Sequence, residues 1–262
     1  MAHPRFGRDR VPGRLLAATS TLCVLASAAR PARACGAAYP GGPMVCNLSD
    51  APQLRPLARV GASYAFTSTT LLFGEGRRAD FTRHAAFASV EVPVGERFAL
   101  SVAAGGVLAG ALDARGGASG AAAGRYEVGP GLATAFGGSF RAVDGRGAAP
   151  LVLLTGTVSF THAGTRAEGG ESPTFTAFDG RLGALVGKTI ADVVTPYALG
   201  RVFGGPIFWR FGGEAVTGTD LYKYQVGGGA TVSLFRRQLD VFVEGVALGE
   251  RGASAGAGFS FF

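Results

Sequence analysis

From Leu57 to Phe262 apolar side chains alternate with small or polar ones, and a period of two is the signature of β-strands. Tyr222, Tyr224, Val226, Gly228, Ala230, Val232 and Leu234 then share one face of a strand. Lys223, Gln225, Gly227, Gly229, Thr231 and Ser233 share the other. Leu239, Val241, Val243 and Ala247 likewise oppose Asp240, Phe242 and Glu244. Tyr126, Val128, Pro130, Leu132 and Phe136 oppose Arg125, Glu127, Gly129, Gly131 and Ala133. Val152, Leu154, Val158 and Phe160 oppose Thr155, Thr157, Ser159 and Thr161. Phe98, Leu100, Val102 and Leu108 oppose Arg97, Ala99, Ser101 and Ala103. Weaker segments fall near 58–72, 80–92, 174–188 and 195–209, and a last one near 252–262. The reading is all-β, with ten strands, or eight if two weak segments are misassigned.

Helices are disfavoured on two counts. The 43 glycines each cost a helix about 1 kcal/mol relative to alanine. The longest uncharged stretch, Gly147 to Thr165, contains Pro150 and five Thr or Ser, so it is no membrane helix.

The first residues read as an export signal over 1–34. Arg5, Arg8, Arg10 and Arg14 precede the apolar stretch Leu15 to Ala29, and Ala32-Arg33-Ala34 supplies a small-residue cleavage site. Cleavage after Ala28 or Ala29 and a lipid on Cys35 are the alternatives. Removal takes six arginines and one aspartate from the 25 basic and 18 acidic residues, leaving 19 and 17, net +2. The high isoelectric point therefore belongs largely to the signal and gives no ground for nucleic-acid binding. Residues 35–57 form an irregular leader rich in Pro and Gly. Cys35 and Cys46 flank its first part, an even pair in an oxidising compartment, and a local disulfide is expected.

The side on which charge falls decides what surrounds the sheet. Arg83, Glu91, Arg125, Glu127, Asp179, Arg181, Lys223, Asp240 and Glu244 all lie opposite the apolar face. An apolar face turned outward meets lipid, and then the sheet must close on itself. Tight turns at 92–96 and 236–237 alternate with longer connections at 113–124, 163–173 and 210–218. Tyr126, Tyr222 and Tyr224 suit an interfacial girdle. A soluble periplasmic barrel with an apolar ligand inside is the alternative.

The chain ends Gly258-Phe259-Ser260-Phe261-Phe262. With its terminal Phe and the signal, it resembles small bacterial outer-membrane β-barrels of the OmpA type. In that class the last strand is read by the barrel-assembly machinery, so Phe259, Phe261 and Phe262 are the expected closing-strand aromatics. The match departs at Ser260, where an apolar residue is expected. The resemblance implies residues 58–262 as one antiparallel up-and-down barrel in outer-membrane lipid.

Function is less legible. In barrels of eight to ten strands side chains nearly fill the lumen. The nine charges named above are expected as lumen-facing ion pairs, structural or lining a narrow passive channel. An adhesive surface is a further alternative. The mature chain has two histidines, His84 and His162, both expected on the lipid side. The acidic pair and Asp-x-His of omptin proteases are absent, as is the His-x-Ser of outer-membrane phospholipases. The expectation is no enzyme, no cofactor, no metal and no nucleic acid. Oligomeric state is unreadable.

Overall fold

The computed structural model describes residues 33–37, 44–49, 56–115, 124–145, 147–167, 172–211, 214–235 and 238–262, the first two stretches by backbone alone. The expected signal residues 1–32 and the Arg236-Arg237 turn lie outside the described residues.

Ten long strands make a closed antiparallel barrel. They are β3 (Ala58–Phe73), β4 (Arg78–Val94), β5 (Phe98–Arg115), β6 (Gly124–Asp144), β7 (Leu151–Ala167), β8 (Thr174–Gly187), β9 (Val194–Gly204), β12 (Tyr224–Leu234), β13 (Leu239–Gly249) and β14 (Arg251–Phe261). Each pairs with the next, and β14 returns to β3 from Ala58 to Ser68. No edge is left open, as hydrocarbon requires. The strand count matches the sequence reading.

The segment expected at 195–209 is not one strand. It ends at Gly204, and β10 (Ile207–Phe211) begins a separate hairpin with β11 (Glu214–Asp220). Residues 210–218, expected as a loop, belong largely to that hairpin. It inserts above the ends of β9, β12, β13 and β14. There β10 pairs with Thr176 and Ala177 of β8, and β11 pairs with Leu71–Phe73 of β3. The barrel thus has ten strands at one level and eight at the other: β3 to β8 plus the hairpin.

The polarity of the two faces exchanges at the step between these levels. On β3, outward Val60, Tyr64 and Phe66 give way to Ser68 and Thr70, while inward Arg59, Ser63 and Thr67 give way to Leu71 and Phe73. On β4, outward Val90, Val92 and Val94 give way to Thr82, Asp80 and Arg78, and inward Glu91 and Ser89 to Phe81 and Ala79. On β8, inward Arg181 and Asp179 give way to Ala177 and Phe175. The ten-strand section therefore wears its apolar face outside, as lipid demands. The eight-strand section wears it inside, as a water-soluble barrel does.

The lengths agree with that division. Strands β12, β13 and β14 have 11 residues each, and a tilted strand needs about 9–11 to cross a bilayer. The longer strands continue beyond it. Exposed Tyr64, Phe66, Phe178, Phe208, Tyr222 and Tyr224 ring the upper boundary, while Phe98, Phe140, Phe259, Phe261 and Phe262 ring the lower. Two such girdles mark membrane interfaces.

On β6 the exchange needs a bulge. The register slips between Val128 and Gly131, and a side chain at Gly131 would put its Cβ 2.4 Å from the His162 carbonyl oxygen. Tyr126 and Val128 consequently point inward, on the face opposite to that of Leu132 and Phe136. Tyr126, expected in the girdle, instead packs edge-on against Trp209 at 4.8 Å between ring centres.

The N-terminal hairpin, β1 (Arg33–Ala37) with β2 (Met44–Ser49), touches β9, β12 and β13 on one side and β3 to β7 on the other. A segment reaching that many walls of a closed barrel lies within it or across its mouth.

Trp209 is the chain's one tryptophan and is 3% exposed. Its fluorescence is expected to be blue-shifted and shielded from iodide. Free quenching by iodide in the folded protein would contradict the packed eight-strand section.

Candidate functional site

The lumen of the ten-strand section holds buried ion pairs built between neighbouring and next-but-one strands. Arg201 on β9 and Glu244 on β13 form a two-pronged pair, Nη1 to Oε1 at 2.8 Å and Nη2 to Oε2 at 3.0 Å. Arg201 Nη1 also donates to Gln225 Oε1 at 3.0 Å, and the Tyr197 hydroxyl donates to Glu244 Oε2 at 3.2 Å. Arg59 joins Glu91 at 3.1 Å and donates from Nε to Ser260 Oγ at 2.8 Å. Ser233 donates to Asp240 at 2.5 Å. Pairing and hydrogen bonding are the conditions under which charge tolerates burial.

A second cluster sits at the step between the two sections. Arg181 bonds Asp179, donates from Nη2 to Glu250 Oε2 at 2.7 Å, and stacks over Phe203 at 4.3 Å. Thr69 donates to Asp220 at 3.1 Å. Arg83 reaches Thr67 at 3.1 Å and Thr161 at 3.4 Å. Arg83, Asp179, Arg181, Asp220 and Glu250 line a cavity of about 40 Å³. That is room for a few waters at most.

Above this step the lumen is filled by apolar side chains. Phe73 and Tyr126 pack on Trp209, Phe81 packs on Phe175 at 4.9 Å, and Leu112, Val128 and Ile207 complete the cluster. The indole nitrogen of Trp209 donates to Thr165 at 3.2 Å. At the rim, Arg77 donates to Glu214 at 3.0 Å and to Glu75 at 2.8 Å. Those two hydrogen bonds, Glu214's first, raise the guanidinium's proton affinity above its ordinary value.

Of the nine charges expected in the lumen, the structure turns six inward: Arg83, Glu91, Asp179, Arg181, Asp240 and Glu244. Three differ. Arg125 and Glu127 are exposed on the outside, because the β6 bulge reverses the faces at that end. Lys223 precedes the first paired residue of β12, so strand alternation does not govern it. It is exposed, and its Cδ lies 3.7 Å from the position a Gly204 Cβ would take.

Arg59, Arg201, Asp220 and Glu250 were missed. Arg201 lies between inward Leu199 and Phe203, which hid its face. Glu250 sits in a turn that reads as outer loop. Pairing complementary lumen charges across strands would have flagged Arg201, because Glu244 otherwise lacks a cation.

Both histidines point outward. His84 Nδ1 lies 2.6 Å from the Tyr64 hydroxyl, and His162 Nδ1 lies 2.9 Å from Thr176 Oγ1. Asp80 is turned to Arg115 and to Thr70, at 2.8 Å from the latter, rather than to His84. Phe259 and Phe261 face outward with ring centres 5.1 Å apart, and Ser260 turns inward to Arg59. Among the described residues no group of three His, Cys, Asp or Glu side chains is set to hold a metal ion.

No protein-family model matches the chain, and no curated protein matches it. Among solved structures, the outer membrane protease OmpT from Escherichia coli matches with a TM-score of 0.52 and 10% identity, over 80% of this chain and 99% of that one. The fold is that of a small outer-membrane β-barrel. The translocator domain of the autotransporter NalP from Neisseria meningitidis matches with a TM-score of 0.46 and 12% identity, over 80% and 90% of the two chains. The transport unit of the autotransporter AIDA-I from Escherichia coli gives 0.44 and 10%, over 80% and 92%.

The OmpT likeness also corrects the expectation about catalysis. Histidine placement and absent motifs led to the expectation of no enzyme. A protease with this barrel overturns that exclusion, although 10% identity makes the likeness one of fold alone.

Removing either partner of the Arg201–Glu244 pair is expected to destabilise the barrel by about 3–5 kcal/mol. The double change Arg201→Met with Glu244→Leu is expected to cost less than either single change. Urea unfolding from vesicles checks this, and strictly additive losses would rule out a coupled pair.

Proposed function

We propose that the chain is an exported outer-membrane barrel with a closed lumen, acting through its scaffold and surfaces rather than by passing solute. The observation that carries this reading is the apolar filling of the eight-strand section. A conducting path needs continuous water, and at that level the described residues pack the Phe73–Trp209–Tyr126 cluster into the lumen. The ion pairs below it bind to one another, and the N-terminal hairpin lies within the barrel or across its mouth. This favours the structural reading over the narrow passive channel.

The outer membrane is the proposed location, supported by the exchange of faces, the two aromatic girdles and the shared fold. Export by a signal over 1–34, and insertion by the barrel-assembly machinery reading Phe259, Phe261 and Phe262, belong to the same proposal. So does a disulfide between Cys35 and Cys46. The backbone register of β1 and β2 sets Gly36 opposite Val45 and Ala37 opposite Met44, so Cys35 and Cys46 are the next residues on either strand.

Two measurements test this. Reconstituted in a planar bilayer, protein whose gel mobility shifts on boiling in SDS is expected to show no discrete conductance. Stepwise single-channel currents from that material would overturn the closed-lumen reading. Peptide mapping without reductant is expected to recover Cys35 joined to Cys46. A lipid on Cys35, or two free thiols, would remove the bridge from the proposal.

A further inference from the structure

The lipid-facing side of β6 to β9 carries a trough rather than an even apolar wall. Four outward glycines lie in register here, and three of them, Gly138, Gly156 and Gly180, line its floor. Gly138 pairs with Gly156, Gly180 pairs with Gly204, and the two pairs adjoin because Val158 lies opposite Gly180 and Leu182 opposite Gly156. Phe136, Phe140, Leu154, Leu182 and Val202 wall a space of about 920 Å³. Hydrocarbon is the solvent on this side. An unfilled space would forfeit dispersion contacts along its whole lining.

Lys223 stands at the upper end of the trough. Its Cγ and Cδ lie 3.9 and 3.7 Å from the position of a Gly204 Cβ, so its stem lies along the floor. Exposed Tyr222 and Tyr224 flank it at the membrane boundary. The chain has two lysines. Lys188 is satisfied by the carbonyl oxygens of Gly145, Gly147 and Ala149, at 2.7, 2.5 and 2.9 Å. Lys223 has no acceptor or carboxylate partner among the described residues. A lysine whose stem lies on apolar surface and whose ammonium reaches the interface is placed to meet an anion there.

The trough alone would take any acyl chain, and the ammonium alone would attract any anion. Together they select a molecule that has both parts. We propose that this trough seats one anionic lipid, with an acyl chain laid over Gly138, Gly156, Gly180 and Gly204 and its phosphate on the Nζ of Lys223. The proposal rests on the membrane placement argued above.

The test uses the mature protein in detergent. Heat-modifiable gel mobility is scored first, to establish the folded barrel. Native mass spectrometry then follows incubation with phosphatidylglycerol, phosphatidylcholine or inorganic phosphate. One phosphatidylglycerol is expected to be retained in preference to phosphatidylcholine, with no free phosphate. Lys223→Gln is expected to lower phosphatidylglycerol retention about fivefold and leave phosphatidylcholine unchanged. Gly180→Leu fills the floor, and its Cβ would meet only the Gly204 carbonyl oxygen at 3.8 Å, an ordinary van der Waals contact. That variant is expected to lose both lipids while keeping its mobility shift. Equal retention of the two lipids by a folded barrel would overturn the proposal. So would full retention by Gly180→Leu, and so would free phosphate held as well as lipid. Loss of the mobility shift in the unsubstituted protein would overturn the membrane placement itself, and the lipid seat with it.

Discussion

A β-sheet in hydrocarbon has no water to satisfy its edge groups, so every strand needs a neighbour on each side. This chain meets that constraint twice with one set of strands. Within the membrane section β14 closes on β3. Beyond it, where β9 and β12 to β14 have ended, the hairpin β10–β11 bridges β8 to β3 and closes a narrower ring. Closure then dictates what lies inside each ring. In the wider one the inward face is cut off from lipid and can carry charge, provided that charges pair. In the narrower one the outside is wet, so the apolar residues retreat inward and fill the lumen.

The pairing of charge reaches across several strands of the barrel wall. Arg201 and Glu244 come from β9 and β13, which are not adjacent, and Gln225 and Tyr197 hold the same two side chains. Arg59 and Ser260 link β3 to β14. Ser260, which breaks the apolar pattern of the last strand, is thereby explained. It is a lumen residue holding a guanidinium across the β14–β3 pair that closes the barrel.

Much of the fold was legible in the sequence because strand alternation reports directly on facing. The strand number, the outward valines of β13, the outward Phe259 and Phe261 of β14, and the inward Asp240 and Glu244 all follow from counting by twos. The count failed where its premise of one solvent per strand failed. Tyr126 and Leu132 fall on one face by parity, yet a bulge between them puts Tyr126 inside. Residues 207–209 read as the end of a strand and 210–218 as a loop because the reading ran through Gly205 and Pro206, where the strand in fact breaks, and nothing local says that the next hairpin rejoins distant β8 and β3. Lys223 was misplaced because it lies one residue outside the regular strand. The ion pairs were half legible, since alternation gives the face of a charge but not its partner four strands away in sequence.

Six strands, β3 to β8, belong to both rings, and the outer two, β3 and β8, change one partner between them. β3 keeps β4 along its length and exchanges β14 for β11, and β8 keeps β7 and exchanges β9 for β10. A slip of β3 by one residue would therefore not be a local defect. It would turn Arg59 toward lipid and Leu71 toward water in the same step, failing in two solvents at once. The exchange of faces thus acts as a register lock: the chain has one alignment in which both halves of β3 are correctly wetted, and neighbouring alignments fail at both ends together.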